Sequence, residues 1–442
     1  MEALDPQRAR ALQDERLREQ VAYLHARSDF YRDKLADAGV GPEDIRGVED
    51  LPRVPFTEKA ELRASLAAAP PLGRHLAAPL EDVIQVQASS GTTGSPSYVG
   101  LTREDLGVWC ELGARAFYAN GARPGDRALH AFGMSKGFVG GLPVAQIVQS
   151  MGICELPIGA DAGPERLLRV QADQRPNLIV GAPYFVAHLA ERAQEIVGVP
   201  AHELGAQRIV VGGEPGGGIP AVRERIETLW GAVVREMLGG TDLACTYWAE
   251  CDQADGMHLL SPDLMVAELI DPDTCEVLVP AEGVTGELVY TALRRQASPV
   301  LRFRTADHVV VTGTHCGCGR KGFKIRCVGR TDDMLIVRGI NVFPSAIKDL
   351  VMELVPRTTG ELRIRADFEG HTTQRPLRVA VEHAADLPAE EQERLRSDVE
   401  ARLRGALNIK AVVELLAEGA LERPGVQKVA LIERVPSTEA SP

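Results

Sequence analysis

Leu12, Leu17, Val21 and Leu24 return to one face at helical spacing within a charged N-terminal stretch, so the chain should open with an amphipathic helix packed on the main body. From about Val83 to Val311 the pattern changes. Short β-rich runs, among them VIQVQ from Val83, LIVGAP from Leu178, RIVVGGEP from Arg208 and GELVYTAL from Gly286, alternate with helical segments such as Val222 to Trp230. That alternation predicts α/β layers. Near Gly329 the pattern shifts again: GRTDDMLIVRGINVFPSAIKDLV reads as turn, strand, loop and helix. The strand-like runs ELRIRADF and LRVAVEH and a charged helix from about Pro388 to Leu407 follow. The reading is a large N-terminal α/β domain, residues 1–329, joined by a short hinge at Arg330 to Asp332 to a small α+β domain, residues 330–442.

Composition narrows the function classes. The 442 residues hold 49 basic and 62 acidic side chains, a formal charge of −13, with 45% apolar and 25% charged residues. That is a globular composition, which excludes global disorder, and it lacks the clustered cations that sequence-independent nucleic-acid binding requires. The first residues carry both charge signs and no apolar core of a secretory signal, so a cytoplasmic protein is expected. The least charged stretch, Gly137 to Cys154, is broken by paired glycines, Pro143, Gln146 and Gln149 and reads as core, not as a membrane span. Eight cysteines without an export signal argue for thiols or metal ligands and against a disulfide framework. No repeat occurs, and the polar tail after Pro436 should fray.

ASSGTTGSPS, from Ala88 to Ser97, follows the VIQVQ strand and combines small hydroxyl residues with glycines. Glycines admit a ligand close to the backbone, and hydroxyl and amide groups donate to phosphate oxygens, so the loop is a phosphate-cradle candidate. It is not a Walker A loop, and taken alone such a loop is more often an ordinary turn. Read together with HARSDFYRDKLADAG, LPRVPFTEKAEL, GGEPGG, LGGTDL, FRTADHV and GRTDDMLIVRGINVFPSAI, it resembles the adenylate-forming acyl-CoA synthetases, most closely the phenylacetate-CoA ligase family, over nearly the whole chain.

The resemblance implies a large multi-layer adenylation domain with a small mobile C-terminal domain, and two half-reactions. A carboxylate attacks the α-phosphate of ATP, pyrophosphate leaves, and the thiol of coenzyme A displaces AMP. Negative charge concentrates in each step, so Mg²⁺, hydrogen-bond donors and a cation are required. Ser89, Ser90, Gly91, Thr92, Thr93 and Gly94 match the phosphate loop, with Ser95 where the family usually carries lysine. Thr241 matches the residue that holds the α-phosphate and Asp242 the Mg²⁺ ligand, one methylene shorter than the usual glutamate; Leu238 replaces the adenine-side tyrosine. Gly213, Glu214 and Pro215 match the adenine segment, Asp307 the ribose acceptor, Arg330 a further ribose contact and Asp332 the hinge. The bland readings are a helix cap for Asp242, a tight turn for GGEPGG and exposed turns for the others. The bridging lysine expected near the C-terminus aligns with Gln427, and Lys428 lies one residue later.

Cys251 and His258, with six residues between them, and the pair Cys316 and Cys318 make a closed set of structural zinc type, with His315 a competing ligand. Some relatives resemble it in carrying zinc at these points; free thiols are the alternative. Cys110, Cys154, Cys245, Cys275 and Cys327 read as buried small hydrophobes. FGMSKGFVGGLP, from Phe132, resembles the carboxylate pocket of the family, with Phe138 as a wall for a flat ring, room left by Gly140 and Gly141, and Gly213 beside them; Lys136 has no family counterpart. An aryl or arylacetic acid, ATP and coenzyme A are the implied small-molecule partners, and a homodimer the implied assembly. The other readings are a stand-alone adenylating enzyme that passes its acyl group to a carrier protein or an amine, and a catalytically weak nucleotide-binding relative.

Overall fold

The computed structural model describes residues 5–89, 97–135, 137–331, 333–422 and 430–435. Ser90 to Ser95, Lys136, Asp332, Gln427 and Lys428 lie outside the described residues. The chain divides into two compact units. One holds residues 1–218 and 226–327, the other residues 219–225 and 328–442.

The first unit opens with the helix Pro6–Arg27, begun by Asp5, whose carboxylate accepts from the Gln7 amide at 3.0 Å, with proline at the first turn. Leu17, Val21 and Leu24 are fully buried against Val266, Leu293 and Leu301, so this helix is part of the unit's core. Gln20 is buried beside them because its amide exchanges two hydrogen bonds with the Arg295 backbone, at 2.9 and 3.0 Å.

One long sheet organises the unit. Among the described residues it holds eleven strands, and it changes character midway. Its parallel half runs in the order Cys154–Leu156, Arg127–Ala131, Leu178–Gly181, Arg208–Val211 and Val233–Gly240. Leu178–Gly181 is buried at every position, as expected for a strand covered on both faces. Val233–Gly240 is parallel to Arg208–Val211 on one side and antiparallel to Ala244–Glu250 on the other. From there the antiparallel half continues through Met257–Leu259, Lys324–Arg330, Phe303–Gly313, Thr285–Ala292 and Met265–Ile270. VIQVQ stands apart, as the strand Val83–Ala88 in a two-stranded sheet with Tyr98–Thr102.

The second unit holds the four-stranded sheet Ala411–Leu416, Leu377–His383, Thr358–Ala366 and Ile432–Arg434. The helix Ala389–Leu407 buries Leu395, Val399 and Leu403 in the core of this unit, a one-turn spacing that leaves its charged residues outside. The stretch LIVRGINV, expected as strand and loop, is a hairpin. Leu335–Val337 pairs with Ile340–Val342, and Arg338 and Gly339 both take positive φ, 53° and 82°, the backbone a tight two-residue turn demands. No helix among the described residues is long and apolar enough to cross a membrane.

At the junction of the two sheet halves the pairing slips: Leu238 faces Trp248, but Gly240 faces Ala244, so residues 245–247 bulge opposite Gly239 alone. A Cβ on Gly239 would lie 2.0 Å from the Cys245 carbonyl oxygen. Gly239→Ala should therefore cost at least about 2 kcal/mol of stability through forced separation of the strands, measured by urea denaturation; a midpoint equal to the parent's would show that the bulge tolerates a side chain.

Candidate functional site

In open α/β sheets, ligands gather beyond the carboxyl ends of the parallel strands, where backbone donors and short loops converge. Three of the sequence segments singled out above leave the sheet at that edge. Phe132 to Gly141 follows the strand ending at Ala131, Gly212 to Pro215 follows Val211, and Thr241 and Asp242 form the turn after Gly240. The base of the glycine-rich loop joins them: the Ala88 amide donates to the Gly137 carbonyl at 2.9 Å. Ser89 closes that loop, its amide donating to the Ser97 carbonyl and its hydroxyl accepting from the Ser97 amide, both at 2.9 Å.

The aromatic wall is local. Phe132 and Phe138 meet edge to face with centroids 6.3 Å apart, and Gly213, at φ 84°, would place a Cβ 3.6 Å from the Phe132 ring. The space over Gly140 is taken by the Phe138 ring itself, whose Cε1 lies 2.4 Å from where a Cβ would stand. The small residue thus seats Phe138.

Asp307 owes its position to a second bulge. Glu287 faces His308 and Val289 faces Arg304, so Thr305, Ala306 and Asp307 oppose one residue and are pushed out of the ladder. Ala306 takes φ 63°, its amide donating to the Glu287 carboxylate at 3.3 Å, and the Asp307 amide donates to the Thr305 hydroxyl at 3.1 Å. Arg304 holds the same Glu287 at 2.7 Å. Asp242 and Asp307 share a neighbour in the buried Tyr247. Burial raises its phenol far above the ordinary range, and both carboxylates raise it further.

Asp242 is itself held. Its Oδ2 accepts from the Lys59 ammonium at 2.5 Å, with side-chain exposures of 13% and 29%, a pair more desolvated than an ordinary surface contact. Lys59 arrives there because Thr57 is stitched to the strand Phe303–Gly313: the Thr57 amide donates to the Arg302 carbonyl at 2.9 Å and the Arg304 amide to the Thr57 carbonyl at 3.0 Å. The helix Lys59–Ala68 starts from that point. The neighbouring turn residue is pinned as well, since the buried Arg295 donates to the Leu243 carbonyl at 2.5 Å. His75, near enough for Asp242 to oppose the shift, is lowered to about 4 by burial and stays neutral, with its Nδ1 2.8 Å from the Ser65 hydroxyl. Lys59 was absent from the sequence-based set. Its signal was the lysine inside PFTEKAEL, but no spacing rule links it to a carboxylate 183 residues away.

Arg330 ends the strand Lys324–Arg330 and belongs to the second unit. Of the remaining assigned residues, Ser90, Gly91, Thr92, Thr93, Gly94, Asp332 and Lys428 are outside the described residues.

Cys251, His258, Cys316 and Cys318 come together, with all four ligand atoms within 4.8 Å of one another. The Cys251 and Cys316 sulfurs are 3.6 Å apart, as are the Cys318 sulfur and His258 Nε2. The sulfur separation is too long for a disulfide bond. Two sulfurs on one tetrahedral zinc, each about 2.3 Å from the metal, stand about 3.8 Å apart, so this donor set fits the ion. Burial lowers His258 to about 4, assisted by the Arg320 and Lys324 cations, which leaves a neutral imidazole able to ligate. His315 is exposed, bonded to Thr314 and outside the cluster. The other five cysteines are less buried than expected: Cys154, which begins the edge strand Cys154–Leu156, is exposed, and Cys110, Cys245, Cys275 and Cys327 are partly covered, with Cys110, Cys245 and Cys327 packed against the hydrophobic cores.

Residues 339–434 match the AMP-binding enzyme C-terminal domain. The chain is 38% identical to a phenylacetate-coenzyme A ligase of Thermus thermophilus over 86% of its length and 83% of the relative's. It is 31% identical to a phenylacetate-coenzyme A ligase of Aromatoleum evansii, covering 95% and 92% of the two chains. Among solved structures it resembles 2-hydroxyisobutyryl-CoA ligase in its postadenylation state, with a TM-score of 0.89, 28% identity and coverage of 97% and 90%.

The Lys59–Asp242 contact is testable by itself. Lys59→Met should lower unfolding free energy by about 1–2 kcal/mol, because it strands a largely buried carboxylate, and a double-mutant cycle with Asp242→Asn should return a coupling of about 1 kcal/mol. Additive single-variant losses in urea titrations would show that the pair contributes nothing.

Proposed function

The chain belongs to the phenylacetate-CoA ligase family of adenylate-forming enzymes and is an AMP-forming acyl-CoA ligase; from that premise we propose that its acid is an aryl or arylacetic acid, activated at the carboxyl edge of the parallel strands. The observation that carries this reading is the convergence there of the Phe132–Gly141 segment, the Gly213–Pro215 turn and the Thr241–Asp242 turn, with the glycine-rich loop tied in through Ala88. Phe138, edge to face with Phe132, supplies a flat apolar wall for an aromatic ring.

In the first half-reaction a carboxylate oxygen attacks the α-phosphorus and pyrophosphate departs; in the second the CoA sulfur attacks the acyl carbon and AMP departs with the bonding electrons. Residues Ser89 to Gly94 donate to the phosphates, and the Thr241 hydroxyl donates to an α-phosphate oxygen. Asp307, pushed out by its bulge, accepts from the ribose hydroxyls, with Arg330 a second ribose contact. Gly213, Glu214 and Pro215 border the adenine. Asp242 Oδ1 carries no hydrogen bond among the described residues and fits a Mg²⁺ ion, which would neutralise phosphate charge there. Lys59 holds the other carboxylate oxygen in register. Lys428 is the cation assigned to the developing charge between acid and α-phosphate, and Asp332 the hinge of the small domain. A homodimer belongs to this reading on the family resemblance alone.

Carboxylate-dependent exchange of labelled pyrophosphate into ATP, followed by CoA addition, tests the assignment. Phenylacetate-type acids should exceed short aliphatic acids by at least about tenfold in kcat/KM. A preference for short hydroxy acids would overturn it.

Cys251, His258, Cys316 and Cys318 are proposed to hold zinc as a staple between the turn after Glu250 and the loop after Gly313. All four protein donors are used, so the ion supplies cross-linking and takes no part in acyl transfer. Cys316→Ser should lower bound zinc well below stoichiometric and reduce Tm by about 5 °C or more, while KM for the acid stays unchanged. A parent protein free of zinc after growth in zinc-supplemented medium would refute the site.

A further inference from the structure

Arg295 is a buried cation without a role in the proposed mechanism. Its side chain is 4% exposed, and its backbone is fixed independently, through the two hydrogen bonds exchanged with Gln20 at 2.9 and 3.0 Å. The guanidinium itself is sparsely bonded. Nη1 donates to the Leu243 carbonyl at 2.5 Å, and the guanidinium carbon lies 5.2 Å from the centre of the Trp109 ring. Nε and Nη2 have no hydrogen-bond partner among the described residues.

A buried arginine that serves the core is bonded differently in this fold. Arg302 donates to both Glu268 oxygens and to the Pro52 and Val54 carbonyls. Arg295 also has a carboxylate beside it, since Asp105 Oδ1 stands 3.5 Å from its Nε, but that contact makes no hydrogen bond. Asp105 is instead filled by the Thr102, Gln296 and Ala297 amides, at 3.0, 2.7 and 2.9 Å, and would keep all three without Arg295. Burial pulls the guanidinium below the ordinary arginine range, and the Asp105 and Asp242 carboxylates oppose that shift. A guanidinium stays charged in proteins, so its desolvation is offset by little bonding.

What this cation does hold is the turn after Gly240. The carbonyl it bonds belongs to Leu243, whose amide closes the turn by donating to the Gly240 carbonyl at 3.1 Å, and Asp242 is near enough to act on its charge. We propose that Arg295 is a positioning residue for adenylation: through the Leu243 carbonyl it fixes the Thr241–Asp242 turn from the buried side, so that both side chains meet the magnesium nucleotide in one geometry. The proposal rests on the reading of Thr241 and Asp242 as the α-phosphate and Mg²⁺ residues and adds to it the group that orients them.

In the full chain, Arg295→Met should leave the urea midpoint close to the parent's, because Asp105 keeps its amides and a buried charge is removed. It should nonetheless lower kcat for acid-dependent pyrophosphate exchange about tenfold or more and weaken MgATP binding, measured by calorimetry without acid, by a similar factor, with KM for the acid unchanged. Arg295→Lys should recover most of the loss, because only one nitrogen of the guanidinium is used and an ammonium can supply it. Should Arg295→Met not fold, Arg295→Gln takes its place with the same expected split between MgATP and acid. Parental kcat and MgATP affinity in the neutral variant overturn the proposal, and so does a KM for the acid that rises in step with the loss of MgATP affinity. A midpoint that falls together with activity and is not restored by Arg295→Lys marks a structural residue and overturns it too. Asp242→Ala reports on the underlying reading alone: exchange that survives there sinks that reading, whereas exchange lost there and parental in Arg295→Met sinks only the role of Arg295.

Discussion

The close approach of the Cys245 carbonyl to Gly239 is the constraint on which the turn after Val233–Gly240 rests. A sheet that stayed parallel would send the chain from Gly240 into another crossover helix. Instead Val233–Gly240 turns directly into an antiparallel partner, and the bulge opposite Gly239 sets how the turn carrying Thr241 and Asp242 is presented. The antiparallel half then supplies a second bulge, at Thr305 to Asp307, that puts another carboxylate in the neighbourhood of Tyr247. Both acids are thus placed by irregular pairing in an otherwise regular sheet. A side chain in a regular ladder must point to one face or the other; a bulge releases it from that choice.

Placing carboxylates at the edge proposed to take a polyphosphate raises an electrostatic difficulty in a chain already rich in acid. The structure answers it by pairing. Asp242 carries Lys59, Glu287 carries Arg304, and Glu268 carries the buried Arg302. These cations do not cancel the acids so much as orient them, since a pair with low exposure holds its geometry at a desolvation cost that only good hydrogen bonds offset. Thr57 couples two of these arrangements. Its backbone bonds to Arg302 and Arg304, and the helix that presents Lys59 starts two residues later.

The cysteine and histidine cluster follows the same logic at another place. Cys251 and His258 come from the turn and strand that follow the antiparallel partner of Val233–Gly240, while Cys316 and Cys318 come from the loop between Phe303–Gly313 and Lys324–Arg330. Pairing of Lys324 with His258 brings them to one place. A metal there would fasten the turn after Glu250 to the loop after Gly313.

Much was legible in the chain before any fold was known. Short β-rich runs marked the strands at Leu178, Arg208 and Gly286, and a charged stretch the helix ending at Leu407, because these patterns are properties of neighbours in sequence. Residue chemistry assembled the zinc-type donor set from two distant segments, and the order of motifs identified the family. Other features were not legible. The pairing of Lys59 with Asp242, the bulges that free Asp307 and the turn at residue 242, the hairpin tip at Arg338 and the exposure of Cys154 on an edge strand all depend on which strand lies beside which and in what register. Local residue order settles which chemical groups are available and which segments form strand or helix. Which of those groups share a neighbourhood is settled by strand order and packing, because a contact spanning many tens of residues leaves no trace in local periodicity.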